Sequence, residues 1–260
     1  MTADTAHPAR ARLGFGFWSF IVFMLALTAL FVWLGVWQID RLAWKEGLIA
    51  QVSSRLTQPP TPLPPSSQWA SLNPDDYNFR PVSLTGHYLA DKTVPVFISL
   101  TDPKGKFSGP GYWIVTPFAP DTGGTAFVNL GFVPDAQLKA YSAGQSVPQG
   151  EVTISGVAVT AEQVGMFTPA PNTKDHIEWV QNPERLAAMA GITGPLLGFT
   201  IDAPAGRPGQ LPQGGETEID FPNNHLGYAW TWFGFAIITP ILLIAWIWRQ
   251  LRPKAPKPAA

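Results

Sequence analysis

A chain of 260 residues has room for one modest domain with accessory segments, and its formal net charge of −1 argues against a nucleic-acid partner, because phosphate binding needs a concentrated basic face. Charged residues are 13% of the chain against a usual ~25%, and the 27 prolines are about twice their ordinary share. With no cysteine there is no disulfide framework, no thiolate nucleophile and no thiolate metal site.

Residues 1–12 read as a short, Pro- and Ala-containing cytoplasmic tail that is expected to be disordered. Leu13 to Trp37 then runs without a charged side chain, longer than the roughly 20 residues needed to cross a hydrocarbon core. A cleaved signal peptide would end its apolar core in small residues. Here Ala26 and Ala29 are followed by Leu30, Phe31, Val32 and Trp33, so the sequence predicts a retained transmembrane helix over residues 13–38. Leu42, Ile49, Val52 and Leu56 keep helical spacing and extend that helix over 39–57. Five prolines between Pro59 and Pro65 end it and predict a stiff extended linker over 58–67.

From there the period changes to two, which predicts a β-rich domain over 68–221. Arg80–Gly86, Val94–Leu100, Gly111–Phe118, Thr125–Phe132, Glu151–Thr160 and Gly198–Ala203 read as strands bounded by Gly, Pro and Asp clusters. One helix interrupts them, with Asn182 as cap, Pro183 in its first turn and Gly191 beyond its end. The Gly- and Pro-rich stretch Pro208–Gly215 leads back to the membrane, and 222–248 holds an interfacial entry and the second span, with Tyr228–Trp248 free of charge. Residues 249–260 form a basic tail. The fold class expected is a membrane α+β protein, two transmembrane helices flanking a β-rich extracytoplasmic domain.

Basic residues flanking spans stay on the cytoplasmic side. Arg10 and Arg12 precede the first span, and Arg249, Arg252, Lys254 and Lys257 follow the second. At the inner ends Arg41 and Lys45 are offset by Asp40 and Glu46, and Glu216, Glu218 and Asp220 precede the second span. Both termini are therefore expected in the cytoplasm and the central domain in the periplasm, with the chain in a cell (inner) membrane.

Chemistry concentrates at the two junctions. The segment from Gly35 to Lys45 reads Gly-Val-Trp-Gln-Ile-Asp-Arg-Leu-Ala-Trp-Lys, with Trp37 and Trp44 suited to the headgroup level and Gln38, Arg41 and Lys45 on one helical face. The second junction, Asn223-Asn224-His225 followed by Leu226-Gly227-Tyr228 and Trp232, places a histidine at the mouth of the other span. Between them lie Gly111-Tyr112 with Thr116-Pro117, Val128-Asn129-Leu130-Gly131-Phe132-Val133-Pro134 and Thr153-Ile154-Ser155-Gly156. In this order and combination the chain resembles the Surfeit locus protein 1 family of cytochrome c oxidase assembly factors over nearly its whole length. It departs from the family pattern in the middle strand, where Leu130 and Phe132 replace an Arg and a Trp. Near Leu100, Thr101 and Asp102 an Arg of the pattern is missing. Roles tied to those residues do not transfer.

The resemblance implies a non-enzymatic helper in the maturation of the oxidase catalytic subunit, working beside other assembly factors in the lipid bilayer, with haem a bound transiently. His225 matches the histidine proposed as an iron ligand, and imidazole is an ordinary axial ligand of haem. Gln38 and Arg41 could meet the propionates by hydrogen bonds. No other metal site is expected. Gly227, Thr231 and Gly234 form a small-residue stripe on the second span, and Gly35 lies at matching depth on the first. If that stripe packs on the first span, His225 shares the opposite face with Tyr228, Ala229 and Trp232, and its ligand set is completed by a second protein or a homo-oligomer. Pro240 is expected to bend the span.

Two rival readings follow from the same residues. One is a scaffold that grips oxidase subunits without haem. The other is a periplasmic enzyme: no Gly-x-Ser-x-Gly, His-Glu-x-x-His or phosphate loop is present, but Asp75, Asp76 and Glu178 could meet as paired carboxylates. His176 has no second imidazole at ligand spacing, and His87, following a strand beside Tyr88, reads as a surface or packing residue.

Overall fold

The computed structural model describes residues 14–145, 147–217 and 223–252, which fall into two compact units, one from the chain ends and one from Ala50 to Ile219. The flanking residues Arg10, Arg12, Glu218, Asp220, Lys254 and Lys257, with both predicted tails up to those limits, lie outside the described residues.

The first unit is a pair of helices. Helix α1 (Phe15–Leu56) is unbroken for 42 residues, a rise of about 60 Å, so it is far longer than a ~30 Å hydrocarbon core needs. Its partner spans His225–Leu251 and keeps Pro240 inside without ending there. Both are long and apolar enough to cross a membrane. Large apolar residues such as Phe23, Trp33, Trp230 and Ile241 are exposed on them, as lipid-facing positions would be.

The second unit is built on a seven-stranded sheet. In chain order its elements are β1 (Thr61–Pro62), α2 (Pro74–Tyr77), β2 (Pro81–Tyr88), β3 (Val94–Leu100), β4 (Gly109–Pro120), β5 (Thr125–Pro134), α3 (Leu138–Tyr141), β6 (Val152–Thr160), α4 (Pro183–Ala190) and β7 (Leu196–Asp202). The helix His225–Leu251, the last among the described residues, is α5. The strand order β1-β2-β6-β7-β5-β4-β3 is closed by a further β2–β4 pairing, so β2, β6, β7, β5 and β4 form a ring with β1 and β3 added outside it. All ring pairings are antiparallel except β5–β7. Closure removes the free edges of those five strands.

Gly86 makes the closure possible. It pairs with Val152 of β6 and with Pro120 of β4, and a Cβ there would overlap the Ala119 carbonyl oxygen. The barrel interior is filled by Val82, Leu84, Phe118, Ala126, Val128, Ala158, Phe199 and Ile201. Leu63 and Trp69 join that core, and the Trp69 indole donates to Pro64 O at 2.8 Å, so the Pro-rich segment is packed into the domain as well as being a spacer.

Period two explains how β5 is buried on both faces. Ala126 and Val128 point into the barrel, while Phe127 points out to a second cluster with Val94, Val96, Val115 and the α4 residues Leu186, Ala187 and Ala190. Each such large side chain contributes roughly 1.5–3 kcal/mol. Helix α4 starts where Asn182 Oδ1 accepts from Glu184 N and Arg185 N, and stops at Gly191, whose φ of +61° is left-handed.

Candidate functional site

The seam between α1 and α5 is the structural basis of the site. On α5 it runs through His225, Ala229, Trp232, Ala236, Thr239, Leu243 and Trp246, alternating steps of four and three; Ala229, Ala236, Thr239 and Leu243 are buried. Phe17 stacks on Trp246 with centroids 5.2 Å apart, Phe31 on Trp232 at 5.9 Å, and Gln38 meets His225, so the helices run antiparallel in a coiled-coil register. Gly35 lies under the Phe233 ring, 2.6 Å from where its Cβ would be.

This arrangement corrects the packing expected of the glycine stripe. Gly227 and Gly234 have no atom within 4 Å of an added Cβ, and Thr231 donates to Gly227 O within its own helix. The buried small residues are Gly35, over which the Phe233 ring lies, and Ala229 and Ala236 on α5, and His225 faces the first helix instead of away from it. The physical reason is volume along the whole seam. Ala229 and Ala236 with Trp232 between them fill the contact with side-chain volume, whereas Gly227, Thr231 and Gly234, spread over about two turns, offer little side-chain volume to pack.

At the end of the seam, the His225 imidazole Nδ1–H donates to Gln38 Oε1 at 2.7 Å. Gln38 is 8% exposed and His225 half-buried. With the amide oxygen as acceptor, the neutral imidazole carries its proton on Nδ1 and keeps a lone pair on Nε2, which has no hydrogen-bond partner among the described residues. An oriented imidazole with a free lone pair is the donor arrangement a metal-bearing ligand requires. Arg41 is not brought into this pair. Its guanidinium stacks on Trp44, 4.0 Å from the ring centroid. Trp37, Trp44 and Tyr228 are exposed, as residues at a lipid–water boundary or a partner surface would be, and Trp232 is half-buried in the seam.

The carboxylates considered for an enzyme do not converge. Glu178 is fully buried and paired with Arg185 at 2.6 Å, while Asp75 and Asp76 are exposed in the first turn of α2. His87 is exposed on β2, and among the described residues no group of three His, Asp or Glu side chains could hold a metal ion.

Two buried polar groups escaped the sequence reading. In the first, Asn129 Nδ2 donates to Asp202 Oδ1 at 3.1 Å, Thr217 Oγ1 donates to Asp202 Oδ2 at 2.8 Å, and Asn129 Oδ1 accepts from Gly131 N. Burial pushes the Asp202 carboxyl up to about 6, against the opposing pull of Thr217 and Asn129. Glu216 accepts from Lys104 N and Gly105 N, both at 2.7 Å, and from Gln213 Nε2 at 2.9 Å. Gln213 exchanges backbone hydrogen bonds with Phe132 over Gly131, whose φ is +126° and where a Cβ would strike the Gln213 backbone. The network thus clamps the segment after β7 onto β5. Only the Asn-x-Gly spacing of residues 129–131 hinted at it. Phe132, in place of the family Trp, is fully buried with its ring edge-on to Trp113. The second group is the Glu178–Arg185 pair, whose partners come from a bridge to β3 and from α4.

A closed β-barrel domain carried between two membrane-length helices, with an oriented histidine where the helix pair ends, defines a class of membrane-anchored α+β proteins. A model of the SURF1 family matches residues 25–237. The chain is 31% identical over 254 residues to rat Surfeit locus protein 1, covering 93% of this chain and 78% of the relative. It is 33% identical over 260 residues to the chicken protein of that name, covering 93% and 77%. To a SURF1-like protein of Monosiga brevicollis it is 29% identical over 256 residues, covering 95% and 92%. The chain belongs to the SURF1 family.

Proposed function

We propose that this protein is a membrane-anchored assembly factor for cytochrome c oxidase that takes up haem a at the end of its helix pair, through His225, and passes it toward the catalytic subunit. The observation that carries the reading is the His225–Gln38 pair, in which one imidazole nitrogen is held by a buried amide and the other is left with a free lone pair. Family membership supports the assembly role; the donor set supports the haem. Haem a would supply an iron centre able to accept that nitrogen. Gln38 holds the ring and its tautomer, and the half-buried setting limits competition by water. Arg41, stacked on Trp44, keeps its guanidinium edges available for carboxylates. The antiparallel pairing of α1 and α5 supports termini on one side of the membrane, and the basic flanks support the cytoplasm as that side. No enzymatic chemistry is part of this reading.

The test is the absorption spectrum of protein purified from cells making haem a, as wild type, His225→Ala and Gln38→Leu. A haem a spectrum is expected for wild type, lost in His225→Ala and shifted or weakened in Gln38→Leu. A haem-free wild type that still co-purifies with the oxidase would replace this reading by the scaffold.

A further inference from the structure

Outside α1 and α5, the strongly exposed large apolar residues among those described are three near neighbours: Val164 at 53%, Met166 at 92% and Phe167 at 93% exposure. They form the tip of the loop between β6 and α4, and the loop is firmly built. Gly165 N donates to Thr168 Oγ1 at 2.9 Å and Thr168 N to Gly165 O at 3.1 Å, closing the tip. Below it, Asn182 Nδ2 donates to Glu162 O, Arg185 Nη2 to Pro169 O at 2.9 Å, and Trp179 Nε1 to Ala170 O at 3.0 Å. Both strands of the loop are thereby strapped to the segment 178–185. Its base is held in turn by the buried Glu178–Arg185 pair.

We propose that this tip is a lipid-contacting element that enters the headgroup region of the bilayer in which α1 and α5 are anchored. The inference rests on the membrane-spanning reading of those helices. Gln163 through Thr173 contains no charged residue, so the tip can leave water without desolvating an ion, and its shoulders are uncharged polar residues and prolines suited to headgroups. The domain leads at both ends into membrane helices, which keeps the bilayer at high local concentration. A protein partner is the weaker fit. A stable interface takes about 800 Å² from each side, and three side chains on a convex tip present only part of that. Lipid needs no complementary pocket.

Because the chain has no cysteine, a single label reports cleanly. Full-length protein in nanodiscs would carry an environment-sensitive fluorophore at Met166→Cys, at exposed Asp91→Cys and Asp121→Cys, or at Trp33→Cys in α1. Quenching by nitroxide-bearing lipid would be compared with quenching by aqueous iodide. The tip label is expected to be at least threefold more lipid-quenched, and correspondingly less iodide-quenched, than either domain control. A label at Val164→Cys should lose at least half its lipid quenching when Met166→Ser and Phe167→Ser are added, with thermal unfolding unchanged. Lipid quenching at Trp33 but none above the controls at the tip overturns the proposal while leaving the membrane reading intact. Shielding of the tip only by added oxidase subunits overturns it in favour of a protein surface. Absence of lipid quenching at Trp33 defeats the membrane reading and the proposal with it.

Discussion

Replacing Arg185 by methionine should destabilise the β-domain far more than replacing its partner. Glu178 is 0% exposed, with one oxygen accepting from Trp179 N and from Arg185, whereas the Arg185 side chain is 16% exposed and also reaches Pro169 O. Arg185→Met therefore strands a carboxylate with no solvent and one backbone donor, a loss of about 3–5 kcal/mol. Glu178→Gln keeps the acceptor for Trp179 N and leaves a cation that has a carbonyl and partial access to water, costing about 1–2 kcal/mol. The double variant should cost less than Arg185→Met alone, because no charge is left without a partner. At roughly 2–4 °C per kcal/mol for a domain of this size, Arg185→Met lowers the unfolding midpoint by about 10 °C and Glu178→Gln by about 4 °C. Thermal unfolding of the full chain in detergent, followed by tryptophan fluorescence, measures both. Equal effects, or a double variant less stable than Arg185→Met, would refute the claim that the pair is held by the cost of the buried carboxylate.

Asp202 sets a pH dependence. Because its folded carboxyl titrates near 6 instead of the ordinary 3.8, the folded state holds that proton more tightly, and stability falls as pH rises through the window between those values, by at most about 3 kcal/mol. Asp202→Asn should remove that part of the slope, read as a smaller change in unfolding midpoint between pH 4 and pH 7 than in wild type. Gly35→Val should push Phe233 aside and open the seam, slowing thiol cross-linking between Phe31→Cys and Trp232→Cys at least threefold. Gly86→Val should prevent barrel closure and cost more than about 3 kcal/mol, seen as loss of protease resistance in the β-domain; a resistant variant would mean β2 and β4 tolerate separation.

Local signals in the chain carried different amounts of the site. The cap at Asn182 and the stop at Gly191 were legible because capping involves neighbours within one turn, and Val94–Leu100 because alternation is a property of the strand itself. The direction of His225 does not follow from Gly227, Thr231 and Gly234, although the four-three spacing from His225 to Trp246 is present in the same helix. The loop tip at Met166 and Phe167 was not legible, since an apolar pair in a polar stretch looks the same whether it is buried or displayed.

By itself the sequence determined the two membrane-length helices, the β-rich middle and the family, because length, apolar runs and alternation are summed along the chain and survive without knowing what touches what. Tertiary structure alone decided the β2–β4 closure at Gly86, the pairing of Gln38 with His225 across 187 positions, and the burial of Glu178 against Arg185. Each of these depends on which surfaces meet. Contacts between distant residues are selected by the packing of the whole, through volume, hydrogen-bond geometry and the cost of an unpaired buried charge.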